Sequence, residues 1–200
     1  QTALFANLQV YFYLSAMALA GIFVFLCFAK RYYSTGPFFI PLIDIFFILS
    51  LTYTGNEMPA QSLFLTVHLT SIFLSVSIFI VSLISAILFL ISEKQIKTKR
   101  FTDWQAKLPS LETLDSIHYK SLMVGFLLFT ISIATGAGYA KVHTGDYVSN
   151  DPKQVLSFLL WFFFAFLLNF RVKQGFQGHK GIVLSFLGFF GIGILFYIGL

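Results

Sequence analysis

Charge is what this sequence has least of. Asp, Glu, Lys and Arg together make up 10% of its 200 residues, against roughly a quarter in soluble domains. That scarcity excludes an ordinary solvated surface. Cysteine is nearly absent too: the single Cys27 lies in an apolar run, which excludes a disulfide framework and a thiolate metal site and leaves core packing as its role. No P-loop, Gly-rich dinucleotide turn, zinc-protease helix or Cys-x-x-Cys-His haem attachment sequence occurs. Any haem held by this chain is therefore bound non-covalently. No residue set is arranged for acid–base or nucleophilic chemistry, so the sequence reads as that of a non-enzyme.

What is abundant is apolar: 58% of residues are hydrophobic, 27 of them phenylalanine, and mean hydropathy is +0.84. The apolar residues come in long runs rather than the alternating short segments of a β-barrel. A hydrocarbon core of roughly 30 Å needs about 20 apolar residues per helix. Six stretches qualify, at about 8–29, 38–54, 63–92, 121–140, 154–170 and 181–200. The expected fold class is all-α, a polytopic transmembrane bundle of about six helices, with residues 1–200 forming a single integral membrane domain. The chain opens on Gln1 without a methionine, so it is expected to be a processed or partial form of something longer.

The positions of the basic residues carry more than their sum. Eleven of the thirteen Lys and Arg fall on one side: Lys30 and Arg31; Lys94, Lys97, Lys99, Arg100, Lys107 and Lys120; then Arg171, Lys173 and Lys180. Only Lys141 and Lys153 fall on the other. Positive loops stay cytoplasmic, which places both termini outside. The net charge of +5 thus reports topology, and no nucleic-acid partner is expected. The basic segment 94–107 reads either as a topology determinant or as a patch for anionic lipid or a partner. After it, Leu108 to Asp115 reads as the start of a helix on the cytoplasmic surface, with Ser110 as its N-cap.

With the sides assigned, His68 lies near the outer end of the third span and His143 in the outer loop after the fourth, while His118 and His179 lie inside. An imidazole in an apolar helix costs free energy unless it is hydrogen-bonded or ligates something. His68 is thus either a headgroup-level histidine bonded to a neighbouring loop or an axial ligand of haem iron, with His143 as a second ligand or merely solvated. Asp44 is the only carboxylate within a span; it reads as solvated from the inner side or paired with Lys30 or Arg31, rather than as a transport site, since no repeat is present. Gly136, Gly138, Gly188, Gly191 and Gly193 allow close approach of helices or of a flat ligand.

Residues 108–171 carry a resemblance. The run Leu-Pro-Ser-Leu-Glu-x-x-Leu-Asp, then Tyr119 and Lys120, a span ending Thr135-Gly136-Ala137, a short outer loop and Asp151-Pro152-Lys153 resemble the CcsA/HemX-like cytochrome c assembly membrane proteins. The likeness takes in His68 and its span, and Arg171 with the span after it, covering most of residues 63–200. In that family the outer loop carries a signature W-G-x-Y-W-x-W-D-P-K-E, which presents haem on the outer face between two histidines. With Asp151 on its aspartate, Gly145 and Tyr147 fall on the glycine and tyrosine, but the three tryptophans fall on Thr144, Val148 and Asn150, and the glutamate on Gln154. Trp161 and Arg171 fit the pattern; Leu156 replaces a frequent tryptophan and Asn169 a common histidine. The family's outer histidine after the sixth helix would fall beyond Leu200.

The resemblance implies an integral protein of a bacterial inner membrane or its organellar equivalent, with His68, Tyr147 and Asp151 as haem-site residues and His68 as the iron ligand, acting alone or with His143 as an improvised partner. Three missing indoles remove most of the flat surface that stacks on a porphyrin, so haem affinity is expected to be weakened or lost. Two functions follow: a haem-handling protein for cytochrome c maturation or haem homeostasis, or a haem-free subunit anchoring a larger membrane complex. Besides lipid, other membrane subunits are the expected partners.

Overall fold

The computed structural model describes residues 8–30, 32–52, 62–99, 107–148, 151–174 and 178–199. Six α-helices occupy them: α1 (Leu8–Lys30), α2 (Gly36–Thr52), α3 (Leu63–Thr98), α4 (Leu111–Thr144), α5 (Pro152–Gln174) and α6 (His179–Gly199), with no strand among the described residues. Five are long and apolar enough to cross a membrane, α6 offering a shorter apolar stretch at His179–Leu195. The fold is thus a polytopic helix bundle, as the hydrophobic runs require.

Local chemistry sets the helix ends. Pro37 sits in the first turn of α2, where a missing N–H costs nothing. Ser62 caps α3 by accepting from the Leu65 N–H at 3.1 Å, and Ser110 caps α4 by accepting from the Thr113 N–H at 3.3 Å. Gly145, at φ +86°, ends α4 in the left-handed region.

The helix expected to start after Ser110 does so, and it continues without a break into the fourth span as the 34-residue α4. No Pro or Gly interrupts residues 111–124, and the buried positions Leu114, His118, Leu122, Gly125, Phe129 and Ser132 continue at three- and four-residue steps along one face. At about 1.5 Å per residue, α3 and α4 are each about 50 Å long, so both exceed the bilayer core.

Those two helices form an antiparallel zipper at the centre of the bundle. Phe64 fills the space at Gly138, His68 the space at Gly136 and Phe79 the space at Gly125. Ser75 Oγ donates to the Gly125 carbonyl at 2.8 Å, and Ser82 Oγ donates to the His118 carbonyl at 2.9 Å. Small side chains let the backbones approach, and serine hydroxyls satisfy themselves on carbonyls rather than on lipid. The α1–α2 hairpin packs on one flank of α3, where Ser15 Oγ donates to the Phe73 carbonyl. On the other flank, α5 and α6 pack on each other, α5 against α4 and α6 against α3. Phe164 and Leu160 of α5 occupy the space left by Gly188 and Gly191, whereas Gly193 faces nothing within 4 Å.

Two ends of the bundle follow from this arrangement: a His68 end, holding the turn after α4, and an Asp115 end, holding the start of α4.

Candidate functional site

His68 lies in the second turn of α3, directly against α4. Its Nδ1 is 2.7 Å from the Ser132 carbonyl. A carbonyl only accepts, so Nδ1 carries the hydrogen, and Ser132 Oγ completes the exchange by donating to the His68 carbonyl at 3.3 Å. With Nδ1 so engaged, the neutral ring presents its lone pair at Nε2, the tautomer that binds a metal through Nε2. The imidazole lies on Gly136: a Cβ there would stand 2.8 Å from Nδ1 and 2.9 Å from Cε1. The glycine of the Thr135-Gly136-Ala137 sequence is therefore needed to seat the ring.

The same ring lines two adjoining cavities. The first, about 260 Å³, is walled by apolar side chains including Ile72, Phe79, Phe129 and Ile192. The second, about 250 Å³, is bounded by Gly136, Ala140, Asp151 and Gln154. His68, Ile133, Lys153 and Ser157 belong to both. The pair combines an apolar chamber within the bundle, an imidazole on its wall and the Lys153 side chain on the lining of both cavities. In donor chemistry the residues fit a haem that would be held through the His68 imidazole alone. Among the described residues no group of three His, Cys, Asp or Glu could hold a metal ion alone.

The remaining expected site residues separate. Asp151 shares the second cavity with His68, and its Oδ1 accepts from the Lys153 N–H at 3.0 Å, starting α5. His143 is exposed on the last turn of α4, its ring stacked 4.0 Å from that of Tyr139 and its Nδ1 donating to the Tyr139 carbonyl at 3.1 Å. It lines neither cavity. Tyr147 is 59% exposed, with the Lys141 ammonium 5.1 Å from its ring centroid, while its carbonyl accepts from Gln154 at 2.8 Å. Of the former tryptophan positions, Val148 is exposed, Thr144 Oγ1 donates to the Ala140 carbonyl, and Asn150 lies outside the described residues.

Ser132 was not singled out by sequence reasoning, and Lys153 was named only for topology and in the Asp151-Pro152-Lys153 run, not as a site residue. Ser132 is legible only once α4 is laid on α3; Lys153 could have been found from its place beside Asp151.

The Asp115 end is built differently. His118 is fully buried and repeats the His68 arrangement with the helices exchanged. Its Nδ1 donates to the Ser82 carbonyl at 3.1 Å, and Ser82 Oγ donates to the His118 carbonyl. Its Nε2 is buried without a partner among the described residues, and the edge of Phe189 closes over the ring. Beside it, Arg171 of α5 pairs with Asp115 at 2.6 Å, lies over the Tyr119 ring at 4.8 Å, and Asp115 also accepts from the Gly178 N–H. Nearer mid-helix, Trp161 Nε1 donates to Thr130 Oγ1 at 2.9 Å. Asp115, Tyr119, Trp161 and Arg171 thus fasten α5 and the start of α6 to α4.

Against known families, a model described as cytochrome C assembly protein matches residues 4–199. The chain belongs to the cytochrome c assembly protein family. Curated relatives include cytochrome c biogenesis proteins CcsA of Prochlorococcus marinus: 40% identical over 88 residues in subsp. pastoris strain MED4, 38% in strain MIT 9515 and 41% in strain NATL2A. Each match covers 44% of this chain and 28% of the relative. No solved structure matches. As a member of the cytochrome c assembly family, this is an integral membrane protein related to haem-handling proteins, and the motif that carried the resemblance divides between the bundle's two ends.

Proposed function

We propose that this chain binds haem non-covalently at its outer face, in the paired cavities beside His68, and conveys it for cytochrome c maturation or haem homeostasis. The observation that carries this reading is the His68 ring itself: Nδ1 fixed on the Ser132 carbonyl at 2.7 Å, Nε2 left for a ligand, and an apolar chamber adjoining it. Bound haem would supply an iron that can accept an imidazole nitrogen. His68 would hold it, with Ser132 fixing the tautomer and Gly136 seating the ring, and Lys153 would offer a cation to a carboxylate. The outer-face placement rests on the basic residues gathered at the opposite end.

A second reading, a haem-free subunit of a larger membrane complex, is favoured by one observation. His143 and Tyr147, which would complete a haem clamp, are engaged with Tyr139 and Lys141 away from the cavities. An absorption spectrum of gently extracted protein, alone and titrated with haemin, decides between the two. The first reading expects a Soret band that is lost in His68→Ala; a colourless protein that takes up no haemin and co-purifies with stable partners contradicts it.

A further inference from the structure

Helix α2 packs on α1 and otherwise meets only the turn at Tyr33–Thr35 among well-contacted elements. Its buried positions Phe39, Phe46 and Ser50 face inward. The opposite stripe, Ile40, Asp44, Phe47, Ile48 and Leu51, is exposed throughout and follows the i, i+4, i+7, i+8, i+11 spacing of one helix face. An apolar stripe alone would simply face lipid. A carboxylate at its centre does not belong there: bilayer hydrocarbon offers neither a hydrogen-bond donor nor a counter-charge.

Among the described residues no side chain is bonded to that carboxylate. Phe12 meets Phe46 and Phe23 meets Phe39 across the hairpin, which sets Asp44 level with Ser15, and Ser15 in turn is bonded to the Phe73 carbonyl. Asp44 is therefore near mid-depth, rather than at the inner end as its sequence position suggests. The side chains of Lys30 and Arg31, its expected partners, lie outside the described residues, but the backbone of Lys30 is about 22 Å further along α1 from Ser15. By the α3–α4 register the level of Phe73 falls near Phe129, and among the described residues the basic side chains nearest in depth, Lys153 and Lys120, lie about 12 and 14 Å along their helices from that level. Among the described residues, a second copy inserted in the same sense holds no Lys or Arg within about 10 Å of that depth.

We infer that the outward face of α2 is an intramembrane docking surface for a transmembrane helix of a different polypeptide carrying a lysine or arginine at the depth of Asp44. Charge complementarity selects the occupant, and the apolar residues on either side of Asp44 supply the packing. The proposal is independent of haem binding.

The test places a photoreactive benzoylphenylalanine at Ile40 or Ile48 of the full chain in its host membrane and sequences the crosslinked peptide. The expected adduct joins α2 to a transmembrane segment of another protein with Lys or Arg within one helical turn of the linkage. Asp44→Asn lowers its yield at least threefold and Asp44→Lys at least tenfold, while replacing the partner's basic residue with Asp restores the Asp44→Lys yield to within twofold. Protease accessibility of the loops checks that each variant inserts as the parent does; Asp44→Asn, nearly isosteric, carries the result if Asp44→Lys fails to insert. Adducts with lipid alone, with a second copy, with another segment of the same polypeptide or with a helix lacking a basic residue overturn the inference, as does an undiminished yield in Asp44→Asn.

Discussion

The α3–α4 zipper carries one histidine–serine arrangement twice, with the helices exchanged: His68 on Ser132 near one end, His118 on Ser82 near the other. In both, Nδ1 donates to a serine carbonyl and the serine hydroxyl answers on the histidine carbonyl. What differs is the surroundings of Nε2. At His68 the ring lines two cavities; at His118 it is sealed under Phe189 beside a buried ion pair. The same local chemistry therefore serves two ends, one beside a pair of cavities and one a clasp that holds three helices.

The comparison breaks most visibly at the clasp. Replacing Arg171 with Ala strands Asp115 and should destabilise the bundle by about 3 kcal/mol, read by unfolding in mixed detergent micelles; a change below about 1 kcal/mol would show that the Asp115 end holds little together. At the open end the largest effect is expected from Gly136→Val, whose branched side chain displaces the His68 ring and should weaken haemin binding about 100-fold in a titration followed at the Soret band. Ser132→Ala keeps the carbonyl but frees the imidazole from the hydroxyl that flanks it, and a loss of about tenfold is expected in the same titration. The smallest effect belongs to His143→Ala, which should leave haemin affinity within about twofold; a loss approaching that of Gly136→Val would make His143 a ligand despite its position.

Much of the bundle could be read without coordinates because its determinants are local. The six apolar runs, the Ser110 cap and the Asp151-Pro152 start of α5 depend on neighbours within a few residues. Asp115, Trp161 and Arg171 were visible as a pattern, but their shared use was not: Arg171 meets Asp115 only when α5 lies on α4, 56 residues apart in sequence. The continuity of α4 was hidden by its amphipathic beginning, which resembles a surface helix until its buried stripe is seen to run on through Gly125 and Phe129. His68 stood out as a polar residue in an apolar run. Its partner Ser132 did not, because most serines in membrane helices can satisfy themselves on their own backbone, so the residue type does not mark the one that bonds across to α3.

The difference between the two ends is tested most directly by haemin titration of the purified protein with His68→Ala and His118→Ala measured side by side. Loss of the Soret band in His68→Ala, with the band kept in His118→Ala, is the predicted result. A band that survives His68→Ala, or one that disappears only in His118→Ala, would contradict the assignment of the open end as the haem site.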